Sequence, residues 1–199
     1  MTTQNTKRPG YPQAGAEQSR RDRGLTALIE GLFGFMWFGW GQAAPPAGLR
    51  IVLSAGAVVA LLVAVAGAVQ AVRSPASSGA LHDRQVRRRY SIVVGVEFAG
   101  AAAGAALLSV LEQADLVPVW ISVVVGVHFF FLAPVLNDPY LVPLGALLLA
   151  VALGALVAEL TTDIAASTVT GIGAGSLLTL FAGQALSGVG ARSSGERDR

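Results

Sequence analysis

The reading of this chain turns on residues 117–140, VPVWISVVVGVHFFFLAPVLNDPY, from Val117 to Tyr140. A hydrocarbon layer of about 30 Å is crossed by about 20 apolar residues in a helix. This stretch has that length, with His128 as its one ionisable side chain before Asp138. It reads as a membrane span with a polar group near its middle. Its neighbours on both sides read the same way.

The chain of 199 residues is 53% hydrophobic and only 13% charged, with a mean hydropathy of +0.61. A water-soluble domain of this size cannot hide so much apolar surface in its own core. The pattern predicts an all-α, polytopic bundle of six transmembrane helices. The expected spans are 25–42, 49–72, 90–111, 117–136, 140–160 and 164–186, inside a membrane domain of residues 24–187. Residues 1–23 and 188–199 are polar, lack apolar periodicity, and are expected to be disordered tails. No cysteine is present, which removes disulfides, thiolate metal sites and cysteine nucleophiles. Thirteen of the fourteen basic residues are arginine, and alanine, glycine and valine are abundant, in the manner of a high-GC bacterial genome, so the expected location is the bacterial plasma (inner) membrane, multi-pass.

Charge sets the expected orientation. With six spans and a cytoplasmic N-terminus, the inner segments collect every basic residue except Arg50, the asymmetry that the positive-inside rule describes. Both termini are then cytoplasmic. Arg50 falls at the outer end of the second span, with Glu112 and Glu159 as expected ion-pair partners. A hydrophilic inner loop from Arg73 to Arg89 holds Arg73, Arg84, Arg87, Arg88 and Arg89, placed to meet anionic lipid headgroups. Beside membrane spans such clusters set orientation and touch lipid, so nucleic acid is not an expected partner.

Small residues mark expected helix contacts. Gly56, Ala60, Ala64 and Ala68 in the second span, and Ala146, Ala150, Gly154 and Ala158 in the fifth, recur every four residues as close-packing ridges. They serve contacts within one chain or between copies in a homo-oligomer. The tryptophans and tyrosines are expected as interface anchors. Asp115 and Pro118 are placed as cap and first-turn residue of the fourth span, and Pro134 predicts a bend near its end.

Three ionisable residues interrupt the spans. At about 1.5 Å of rise per residue, Glu30 lies roughly 8 Å, Glu97 roughly 10 Å and His128 roughly 12 Å from the inner end. Glu97 shares a helix face with Gly100 and Gly104, three and seven residues further on, which turns it toward protein if that face is packed. A charge facing lipid costs about 3 kcal/mol or more, so a shared cluster of Glu30, Glu97 and His128 is the expected arrangement. As fasteners they hold helices together; as a transport site they handle protons or cations. Fastening is the favoured expectation, because polar residues join membrane helices whether or not anything is transported. HExxH, GxSxG and phosphate-loop motifs are missing, and the two histidines, His82 and His128, lie far apart in sequence. No enzyme activity, metal site or cofactor is expected.

Gly126, His128, Phe129, Leu132 and Ala133 form a GxHFxxLA stretch, followed by Pro139 and Tyr140 opening the next span. In these residues, and in Glu97 of the preceding span, the chain resembles uncharacterised multi-span integral membrane proteins of bacteria. Phe130 and Phe131 stand where such a stretch often holds a proline. The resemblance implies a multi-span fold and draws attention to His128, and it brings no activity with it. The expected function is therefore a structural or accessory membrane protein. The alternative is a small proton- or cation-coupled transporter or channel using the three polar residues.

Overall fold

A computed structural model describes residues 20–74, 84–136 and 138–188. The described residues form six α-helices: α1 (Arg20–Gly41), α2 (Ala47–Arg73), α3 (Arg84–Val110), α4 (Val117–Leu136), α5 (Leu141–Thr161) and α6 (Ala166–Ser187). A 3-10 turn, Ala114–Leu116, leads into α4, and no strand occurs among the described residues. Five helices, α2 to α6, are long and apolar enough to cross a membrane. These five make the chain a multi-pass membrane protein in outline. α1 is not among them, because Glu30 and its many glycines and tryptophans dilute its apolar content.

Helix boundaries follow local chemistry. Pro46 immediately precedes α2 in an extended conformation, and Pro118 and Pro143 fall in the first turns of α4 and α5, where a missing N–H breaks no intrahelical bond. Gly188 closes α6 at φ 66°, the left-handed conformation that glycine adopts without a Cβ clash. Glu112 adopts the same conformation, φ 58°, just after α3. There the Gln113 N–H donates to the Leu108 carbonyl at 2.8 Å and the Glu112 N–H to the Ser109 carbonyl at 3.2 Å, a Schellman closure.

Several boundaries differ from the sequence expectation. α1 starts at Arg20, inside the expected tail, and Arg84 to Arg89 form the first turns of α3 rather than a loop. At 27 residues, α3 is about 40 Å long. That exceeds an apolar layer of about 30 Å, so its arginine-rich start has room to project into the headgroups. Asp115 lies inside the 3-10 turn and does not cap α4. The expected tails over 1–19 and 189–199, and the part of the expected loop over 75–83, His82 included, lie outside the described residues.

Backbone-to-backbone packing organises the bundle. α1 lies antiparallel against both α2 and α6. A Cβ added at Gly67 would meet the Leu28 amide nitrogen at 2.5 Å and the Gly24 carbonyl at 2.7 Å, and one at Gly31 would meet the Ala64 nitrogen at 2.8 Å. Toward α6, one at Gly171 would meet the Gly41 Cα at 2.6 Å. Only glycine permits this approach.

The ridge of α2 is packed as expected at Ala60 and Ala64, but it continues through Gly67 and Ala71 while Ala68 turns partly away. At 3.6 residues per turn a strict four-residue row drifts around the helix, whereas alternating steps of four and three stay on one face. The α5 ridge differs more. Ala146, Ala150 and Gly154 are exposed, and the buried face is Leu141, Leu144, Gly145, Leu148, Ala152 and Ala155. Trp37 is not an interface anchor: at 4% exposure it joins a core with Leu132 and Ala133 of α4, Leu144 and Leu148 of α5, and Ala174 and Leu178 of α6.

Candidate functional site

α3 sits at the edge of the bundle. Its principal partner is α4, with minor contact to the 3-10 turn, and none of its residues is fully buried. The half-buried stripe Tyr90, Val93, Glu97, Gly100, Gly104 and Leu108 faces α4. Glu97 lies at the centre of that stripe. Its Oε2 is 3.1 Å from His128 Nδ1, with the side chains 17% and 8% exposed. The face shared by Glu97, Gly100 and Gly104 is thus the packed one.

Two further contacts flank this pair. The Trp120 indole N–H of α4 donates to the Gly100 carbonyl at 3.1 Å, and the same ring lies over Gly104, where any added Cβ would collide with it. On the other side of α4, the buried Ser122 hydroxyl donates to the Leu148 carbonyl of α5 at 3.1 Å, and Gly126 and Gly145 bring the two backbones together. His128 also meets Phe129 edge-on, ring centres 5.6 Å apart. The Glu97–His128 separation is that of an ion pair. Yet Nδ1 has no aligned hydrogen bond, so the contact is close without being linear, and an electrostatic attraction describes it better than a full hydrogen bond.

The third expected member of the cluster is elsewhere. Glu30 projects from α1 at 8% exposure, and no hydrogen bond or ion pair among the described residues joins it to Glu97 or His128. Its Oε2 is buried without a hydrogen-bond partner. No group of three or more His, Asp or Glu side chains able to hold a metal occurs among the described residues.

No family model, curated protein or solved structure matches this chain.

Sequence reasoning missed two polar contacts. Trp120 as the cover of Gly100 and Gly104 was signalled only by the GxxxG pair, which demands a close neighbour without naming it. Glu159, expected near Arg50, instead accepts the Ala166 N–H at 2.5 Å and so satisfies an open amide at the start of α6. No ion pair of Arg50 forms among the described residues. The hydroxyls of Thr170 and Thr179 bond back to the Ala166 and Gly175 carbonyls at 2.8 and 2.7 Å, local satisfaction rather than a pore lining.

Proposed function

We propose that the chain is a six-span membrane protein of structural or accessory role, in which Glu97 and His128 fasten α3 to the rest of the bundle. The observation that carries this is the 3.1 Å Glu97–His128 contact at the centre of the one extensive interface α3 makes. A helix held by a single neighbour gains little from packing alone, and polar contacts across membrane helices add about 0.5–2 kcal/mol each. Pairing also spares both groups the cost of facing lipid singly. Counting α1 as the sixth span is supported by its place between α2 and α6, antiparallel to both, with backbone in contact throughout.

Six spans put both termini on one side, and the arginine distribution makes that side the cytoplasm of a bacterial inner membrane. Arg73, Arg84, Arg87, Arg88 and Arg89 are all exposed, which supports contact with anionic lipid headgroups. The outward-facing Ala146, Ala150 and Gly154 support self-association as the use of the α5 ridge.

A double-mutant cycle with Glu97→Gln and His128→Ala, read by reversible unfolding in mixed micelles, tests the fastening role. A coupling of about 0.5–2 kcal/mol between the two positions is expected. Glu97→Gln protein of unchanged stability that loses proton flux in proteoliposomes overturns fastening and installs the transport reading. Reporter fusions after Met1 and Arg199 are expected on the same side; opposite sides overturn the six-span count.

A further inference from the structure

Arg50 stands in the first turn of α2, at the opposite end of the helix from Arg73, its only other charged residue. It is exposed, and no ion pair joins it to another described residue. Ser54 lies one turn further along the same face. The Gln42 amide nitrogen donates to the Ser54 hydroxyl oxygen at 3.0 Å, which leaves the Ser54 O–H hydrogen to be given elsewhere. Helical side chains lean toward the helix start, so that hydroxyl lies over the turn that carries Arg50. Two donors converge there.

An open groove of about 600 Å³ follows this face of α2, within the range of about 300–1,000 Å³ of small-molecule sites. Arg50 and Ser54 line it, and the rest of its lining is apolar: Ile51, Ala55, Val58 and Val59, with Ala47 at the helix start. From Ala47 to Val59 the helix rises about 18 Å, the depth of one leaflet in an apolar layer of about 30 Å. The groove is therefore charged at the membrane edge and apolar toward the midplane. That order of polarity is the order of a phospholipid. A second copy related by a two-fold axis along the membrane normal would place its own Arg50 at the same depth, like charge against like charge.

We propose that this groove holds one phospholipid with an anionic headgroup, its phosphodiester on the Arg50 guanidinium and the Ser54 hydroxyl, and an acyl chain along Ile51, Ala55, Val58 and Val59. Charge-assisted bonds from guanidinium to phosphate are the strong ones. Phosphatidylglycerol brings a phosphate without a cation of its own, whereas the ammonium of phosphatidylethanolamine competes with Arg50 for it. The site lies across the membrane from Arg73 and is distinct from the arginine-rich start of α3. Its chemistry needs only that α2 crosses the bilayer; the leaflet, the outer one, rests on the cytoplasmic placement of both termini.

The test is native mass spectrometry of the full-length protein released from nanodiscs of equimolar phosphatidylglycerol and phosphatidylethanolamine, a readout blind to orientation and so separate from the reporter fusions. One phosphatidylglycerol is expected to stay bound at collision energies that strip the other lipids. Arg50→Gln is expected to lower its retention about fivefold, and Arg50→Lys to keep most of it. Val58→Trp, at an exposed position, fills the groove and is expected to lower retention with Arg50 intact. Unchanged helix content in each variant separates lipid loss from misfolding. Equal retention of the two lipids overturns the anionic headgroup, and parent-like retention in Arg50→Gln overturns the site. Parent-like retention in Val58→Trp overturns the acyl-chain groove. Retention lost only when Arg84, Arg87 and Arg88 are replaced by glutamine assigns the lipid to α3 and overturns the proposal.

Discussion

Replacing Gly67 by alanine adds one methyl group at the place where α1 and α2 come closest. The new Cβ would lie 2.5 Å from the Leu28 nitrogen, 2.7 Å from the Gly24 carbonyl oxygen and 3.0 Å from the Ala27 carbonyl carbon. All three atoms are backbone, so no rotamer change relieves the clash. Ordinary contact begins near 3.4 Å, and the helices must therefore part by roughly 1 Å. A gap of 0.5–1 Å forfeits about a quarter to a half of each atom–atom attraction of about 0.1–0.2 kcal/mol. The loss is repeated along the interface at Gly24, Ala27, Gly31, Ala60, Ala64 and Ala71, all buried. Some tens of weakened contacts amount to about 1–3 kcal/mol, the usual cost of overpacking. Gly154→Ala in α5 is the control, because a Cβ there meets nothing within 4 Å and alanine favours the helix by up to about 1 kcal/mol. Reversible unfolding in mixed micelles should show Gly67→Ala destabilised and Gly154→Ala unchanged or slightly stabilised. Equal stabilities for the two variants would refute the α1–α2 packing described above.

Glu112 occupies a left-handed position at the end of α3, which costs a residue with a Cβ about 1–2 kcal/mol. Glu112→Gly should raise the unfolding free energy by about 0.5–1 kcal/mol after the entropy of glycine in the unfolded chain is offset, measured by the same titration. Glu159→Ala removes the acceptor of the Ala166 N–H. It should lower stability by about 1 kcal/mol, as loss of a helix cap does, and speed hydrogen exchange at the first amides of α6.

In the candidate site, the Glu97 face was readable from one helix alone, because Gly100 and Gly104 recur with it at helical spacing and mark where another backbone can approach. Its pairing with His128 was readable only as an equality of depth. Glu30 satisfied the same equality and lies on another side of the bundle, since depth says nothing about angle around the bundle axis.

By itself, the sequence determined that the chain is built of long, mostly apolar helices and which of their members are too polar to face lipid. Composition and length suffice for that, because transfer of each residue from water is a local cost. The tertiary structure decided which faces meet: that the α5 ridge looks outward, that Trp37 is core, that Gly67 and Ala71 complete the α2 seam, and that Glu30 makes no hydrogen bond or ion pair with Glu97 or His128. In lipid both sides of a helix are apolar, so burial leaves no hydropathy stripe to read. Only the fit of one backbone against another, fixed when all the helices pack together, distinguishes an inward face from an outward one.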